Sequence, residues 1–226
     1  MTSLMLAAAF FVGIHVCISG TPLRAAIVGR IGEQPFRGLF SLLSLVGIVW
    51  LSRAYARAPL VELWGHVGAL KPLALIVIFV ACQFVAIGLT TPSPTAVGGE
   101  SRLDSTEPAQ GILRVTRHPF LWGVAIWAAM HLLLNGDAAS AVLFGALLLL
   151  AVVGPPSIDA KRRRAFGQRW DRFAQVTSNL PFAAIADKRN SFKPSELGAW
   201  RIGVGVALYA IFLFSHRWLF GVSPLP

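Results

Sequence analysis

The sequence predicts an all-α integral membrane protein: a bundle of about six transmembrane helices with a short amphipathic helix at the cytoplasmic surface. Three observations carry that expectation. Of 226 residues, 55% are apolar and only 13% charged, against about 25% charged in a soluble domain, too few to coat a water-facing surface. Mean hydropathy is +0.66. The apolar residues also collect into runs close to the ~20 residues that a spanning helix needs. The length suits one domain over residues 1–226.

The candidate spans cover 3–20, 38–54, 72–90, 119–135, 138–154 and 200–219. None is amphipathic at period 3.6, as expected where lipid and bundle interior are both apolar. No Lys or Arg precedes the first run, whereas a signal peptide carries a basic leader, so this run reads as an uncleaved span. Thr91-Pro92-Ser93-Pro94 cannot continue a helix, because proline lacks the N–H and crowds the preceding turn. Asn135-Gly136-Asp137 reads as a tight turn between spans four and five, and Gly154-Pro155-Pro156 as the end of span five. From Asp159 to Phe173, charges interleave with Ala165, Phe166, Trp170 and Phe173, which predicts the amphipathic surface helix. Trp50, Trp64, Trp122, Trp200 and Trp218 fall near span ends, where interfacial anchors sit.

The formal charge of +10 lies in the loops. That placement favours an anionic membrane surface over nucleic acid as the partner. Arg24, Arg30 and Arg37 follow span one, and Arg102, Arg114 and Arg117 follow span three. Nine Lys and Arg residues from Lys161 to Lys193 follow span five. These three loops share one side, which the positive-inside rule makes cytoplasmic. The chain is then expected in a bacterial inner membrane with both termini periplasmic. Cys17 and Cys82 show no metal-ligand spacing and are expected to be buried apolar residues.

Five histidines are the main chemical candidates. His15 and His131 fall inside spans, and His118 stands where span four begins, just before Pro119. Ionisable groups in a membrane face the bundle interior and need a partner. His15 and His131 therefore read either as axial haem ligands, since imidazole binds haem iron well, or as histidines bonded to helix carbonyls. His118 and His131 are thirteen residues apart, roughly 20 Å along a helix, so they do not share one iron. Either His131 or His118 remains open as the partner of His15. Arg114, Arg117 and His118 form a polar group able to hold an anionic cofactor, or a helix start beside anionic headgroups. His66 and His216 read as surface residues.

The stretch from His15 to Leu51, HVCISGTPLRAAIVGRIGEQPFRGLFSLLSLVGIVWL, resembles the opening of the NnrU family of membrane proteins. TRHPFLWGVAIWAAMHLLLNGD, Thr116 to Asp137, resembles the second block of that family. The family is in turn similar to the 15-cis-zeta-carotene isomerases of plants and cyanobacteria, which hold haem b through histidines. The resemblance implies haem b as cofactor, His15 and His131 as ligands, and an apolar polyene reached from membrane lipid. That isomerase offers a cysteine ligand three residues before the second histidine, where this chain has Ala128. The family's association with nitrogen-oxide metabolism implies a redox role, or an accessory role beside respiratory enzymes. A second resemblance is to membrane methyltransferases of the isoprenylcysteine and phospholipid type. It rests on Arg117-His118-Pro119 and on Phe166-Gly167, Trp170 and Phe173. It implies S-adenosylmethionine bound by Arg117, His118 and Asp159. Those enzymes carry two adjacent glutamates where this chain has Asp159-Ala160.

Overall fold

The computed structural model describes residues 1–19 and 21–226. Helix α1, Thr2–Gly13, continues into a π-helical turn, Ile14–Ser19. Helices α2, Leu23–Ile31, and α3, Glu33–Ala56, follow. Next come α4, Lys71–Thr90, α5, Pro119–Asn135, and α6, Ala138–Phe166. Two short helices, α7, Gln168–Gln175, and α8, Ala183–Ala186, lead to α9, Ala199–Phe220. Among the described residues the only β pairing is an isolated bridge between Glu62 and Asp137.

Among the described residues five segments are long and apolar enough to cross a membrane: Thr2–Ser19, Glu33–Ala56, Gly68–Thr90, Ala138–Phe166 and Ala199–Phe220. The expected sixth, α5, has the anticipated bounds but only 17 residues. At 1.5 Å per residue that is about 26 Å, short of a ~30 Å hydrocarbon core. Proline at the first helical position fixes one end of α5, because its missing N–H is unneeded there. Gly136 closes the other end at φ +64.

One boundary is corrected. Gly154-Pro155-Pro156 does not end the fifth run, because α6 continues through both prolines to Phe166. Two N–H donors are lost, but Pro155 is fully buried, so packing supports the helix there. The break comes at Gly167, φ +49. The amphipathic helix is therefore α7 alone, and its apolar face does not lie on a membrane. Trp170 and Phe173 are fully buried with Ile87, Leu103, Ile112, Leu113 and Val115 in a protein core.

The chain packs as two compact units, Met1–Gly68 with Ala128–Leu150, and Ala69–Trp127 with Ala151–Pro226. In the first unit Gly47 of α3 lies against Phe10 and Phe11, where a Cβ would stand 3.0–3.3 Å from their rings. The 61–67 segment covers the α5–α6 turn. Backbone N–H groups of Leu63, Trp64 and Gly65 all donate to Gly136 O, at 2.9, 3.0 and 3.1 Å. Trp64 Nε1 donates to Leu133 O at 3.2 Å. In the second unit, α4 packs closely on α9 and on the first turns of α5. Gly205 meets Gln83, and Gly88 meets Pro119 and Phe120.

Gly136 tests this arrangement. A Cβ there would lie 2.1 Å from Gly65 O, at a φ that side chains rarely adopt. Gly136→Ala is expected to destabilise the protein by at least about 2 kcal/mol, read as a lowered unfolding midpoint in detergent. An unchanged midpoint would mean that the 61–67 segment does not hold the turn.

Candidate functional site

In the first unit, His15 occupies the π-helical turn after α1. Such turns insert one residue into a helix and are frequent at functional sites. His15 Nδ1–H donates to Phe11 O at 2.7 Å. Its ring lies 4.6 Å from that of Phe11 and 5.2 Å from that of Phe40 on α3. Nε2 has no hydrogen-bond partner among the described residues. A histidine that binds a metal through one nitrogen usually donates its other N–H to a carbonyl or carboxylate, and His15 has that form. The same bond also satisfies a histidine that binds nothing. His131, on α5, lies 5.0 Å ring to ring from Phe144 of α6. Tyr55 of α3 abuts the same phenylalanine at 6.1 Å and shares a 3.0 Å hydrogen bond with Ser140. The two histidines thus belong to one unit but have different aromatic neighbours. Cys17 is an exposed free thiol and not a buried residue as expected; Cys82 is buried. Exposure inside an apolar span puts a side chain against lipid, which an apolar thiol tolerates.

The second unit brings together Arg117, His118 and Asp159. His118 Nε2–H donates to Asp159 Oδ1 at 2.7 Å. Arg117 donates from Nε and Nη2 to Oδ2 at 2.8 and 2.6 Å, and from Nη1 to Thr177 O at 3.2 Å. The His118 side chain is 1% exposed, against 15% for Arg117 and 19% for Asp159. The loop before α5 is fastened at the same point. Thr116 Oγ1 donates to Asn179 O at 2.5 Å, and Trp122 Nε1 donates to the same carbonyl at 2.8 Å. Both oxygens of Asp159 are occupied, so the carboxylate balances the two groups that hold it.

Arg114 does not join this group, although the sequence suggested it would. It is buried, and its guanidinium is used up on Glu196 at 2.7 and 2.9 Å, Glu107 at 2.6 Å and Asn190 at 2.7 Å. A buried cation needs such partners. These three are separated from it by 82, 7 and 76 residues, so no local pattern announces the larger part of the cluster. The Arg114 bonds, the Gly111 N–H and neighbouring positive charge pull Glu196 down to about 2, against a smaller opposing effect of burial.

A further polar residue lay outside the sequence reading, which counted only ionisable groups in spans. Both amide atoms of Gln83, within α4, are buried with no hydrogen-bond partner among the described residues, close against Gly205 of α9. Among the described residues no cluster of three or more His, Cys, Asp or Glu side chains could hold a metal ion.

These features define a helical membrane protein with two histidines on apolar helical segments of one unit and an Arg–His–Asp cluster in the other. The chain belongs to the NnrU family, whose model matches residues 3–224. It is 28% identical over 167 residues to the chloroplastic 15-cis-zeta-carotene isomerase of Arabidopsis thaliana, covering 70% of this chain and 44% of that protein. It is 26% identical over 164 residues to the Zea mays enzyme of the same name, with the same coverage of each chain. The chain thus spans less than half the length of these curated relatives. No solved structure matches it.

Two outcomes follow from the ion pairs. Asp159→Ala leaves His118 and Arg117 without their carboxylate and is expected to cost about 3 kcal/mol, measured by thermal unfolding in detergent. A loss within 0.5 kcal/mol would mean that water replaces the carboxylate at no cost. The depressed Glu196 gives a pH dependence. Its stabilising contribution is complete above the ordinary value of 4.5 and disappears as pH falls through about 2. Glu196→Gln is expected to flatten the acid limb of the stability curve between those values.

Proposed function

We propose that the protein is an isomerase-like membrane protein that holds haem b through His15 and His131 and acts on an apolar, conjugated substrate. The observation that carries the reading is at His15. A π-helical turn lies inside a membrane-spanning segment, its imidazole Nδ1–H is fixed on Phe11 O, and Nε2 has no hydrogen-bond partner among the described residues. The donor set suits haem iron, which imidazole ligates well. Family membership and the likeness to enzymes named 15-cis-zeta-carotene isomerase point to the same class of substrate.

In this reading the Phe11 carbonyl fixes the tautomer of His15, and Phe11 and Phe40 hold its ring orientation. His131, beside Phe144, supplies the second nitrogen. The chemistry the bound group supplies is electron exchange with a conjugated double bond, which lowers the barrier to its rotation. The aromatic side chains around both histidines exclude water, and substrate enters sideways from lipid. Ala128 stands where the isomerases carry a cysteine, so no thiolate competes for the second position. The protein then sits in a bacterial inner membrane with its basic loops cytoplasmic and its termini periplasmic. An accessory role beside nitrogen-oxide enzymes uses the same two histidines without a substrate.

The S-adenosylmethionine reading draws support from the convergence of Arg117, His118 and Asp159. We rank it second, because both oxygens of Asp159 are already engaged and no second carboxylate stands beside it.

The deciding measurement is the absorption spectrum of purified protein expressed with haem supplied, before and after dithionite. A Soret band that shifts on reduction is expected. His15→Ala and His131→Ala should each abolish or displace it, and His118→Ala should leave it in place. A colourless protein overturns the haem reading, and S-adenosylmethionine binding that depends on His118 would then support the methyltransferase.

A further inference from the structure

Beside the Arg117–Asp159–His118 cluster lies a cleft of about 440 Å³, entirely within the second unit. It runs between the end of α4, the 91–99 loop and the first turn of α5, and His118 lines it. From this we infer a second ligand site: the cleft binds a lipid-soluble alcohol, whose hydroxyl donates to His118 Nδ1 and whose chain lies on an apolar lip. This site makes no use of haem and does not depend on the function proposed above.

Three observations support it. First, the polar atom on offer is an acceptor. As a neutral imidazole giving its Nε2–H to Asp159, His118 keeps the lone pair on Nδ1, and no hydrogen bond occupies that nitrogen among the described residues. A hydroxyl donor from a ligand can bond there. Second, the charges nearby are spent. Asp159 is taken up by His118 and Arg117, and Arg162 by Glu100 at 2.8 Å and by Ala96 O at 2.7 Å. Beside His118 both Arg117 and Arg162 are already paired, and among the described residues no unpaired carboxylate awaits an ammonium there; Arg201, at the α4 end of the cleft, donates to the Thr90 carbonyl at 3.3 Å. A neutral donor fits. Third, the mouth is apolar and open. Leu89, Val97 and Phe120 are 67, 71 and 41% exposed. In a chain whose helices suit a membrane, such a lip offers a path for an apolar chain. The Thr91 hydroxyl, which makes no hydrogen bond among the described residues, lines the cleft and can donate to the ligand oxygen.

The geometry of the cleft is set by close backbone approach. A Cβ on Gly88 would stand 2.8 Å from Phe120 N, and one on Gly99 1.9 Å from Ser93 O. Neither position has room for a side chain, so the walls are fixed before any ligand arrives. This matters for affinity, because a pre-formed site spares the ordering cost of binding.

The test uses the full chain in lipid nanodiscs and a diazirine-bearing long-chain alcohol as photoprobe, with labelled residues located by mass spectrometry. Label is expected on the 88–99 stretch and the first turn of α5. Hexadecanol should displace the probe about tenfold better than hexadecyl methyl ether, which keeps the oxygen but has no hydroxyl to donate. His118→Leu should bring the two competitors to equal potency while Arg117 still pairs with Asp159. Equal potency on the unmodified protein overturns the proposal whether or not that variant folds. Label confined to other surfaces overturns it as well. Haem content is read in the same preparation, so a failure here is separate from a failure of the haem reading.

Discussion

The carboxylate of Asp159 is the interaction on which the second unit depends. It stands in the part of α6 that continues beyond two prolines, and it takes hydrogen bonds from Arg117 and His118 at the start of α5. A charge of either sign in a poorly hydrated place is costly alone and tolerable only in a hydrogen-bonded pair. This one pairing explains why α6 has to continue as a helix past Pro156. If the chain broke there, Asp159 would have no fixed relation to Arg117. It also explains why His118 can be buried at the foot of an apolar helix: its N–H has a permanent acceptor.

The same rule governs the rest of the polar groups. Glu196 satisfies Arg114 and the Gly111 N–H together. The Gly136 carbonyl accepts three backbone donors from the 61–67 segment, and Asn179 O accepts both Thr116 and Trp122. Gln83 in the middle of α4 departs from the rule, with neither amide atom partnered among the described residues, as does the buried Ser44 hydroxyl in α3. Where lipid supplies no hydrogen bonds, each polar group must be answered from within the chain. The partners are long-range in sequence for that reason. A loop finds its acceptors on whichever element the fold sets beside it.

The candidate sites divide along the two units. His15 and His131 belong to one, the first beside the rings of Phe11 and Phe40 and the second beside that of Phe144. The Arg–His–Asp cluster and its cleft belong to the other. The hydrogen bond from His15 Nδ1 to the Phe11 carbonyl is common to a ligating and a resting histidine, so the bond by itself is neutral. The π-helical turn gives it direction, because widening a helix by one residue loses regular hydrogen bonding and does nothing for packing on its own.

Much was legible in the sequence. Hydropathy located the apolar helices, to within a residue or two for four of them, while α3 starts five residues earlier and α6 ends twelve residues later than expected; Pro119 and Asn135-Gly136 set both ends of α5. These are local properties: apolar run length, proline's missing N–H and glycine's freedom at positive φ act within a few residues. The two family-like blocks, His15 to Leu51 and Thr116 to Asp137, were legible too, and the family match over 3–224 bears them out. Tertiary structure decided the rest. Gly154-Pro155-Pro156 reads as a stop, yet burial of Pro155 carries the helix through. Trp170 and Phe173 read as a membrane face, yet a protein core covers them. Arg114 reads as free for a ligand, yet Glu196 claims it from 82 residues away. Each of these turns on which distant surface meets a side chain, and a sequence pattern encodes that a side chain needs a partner without saying where the fold will supply it.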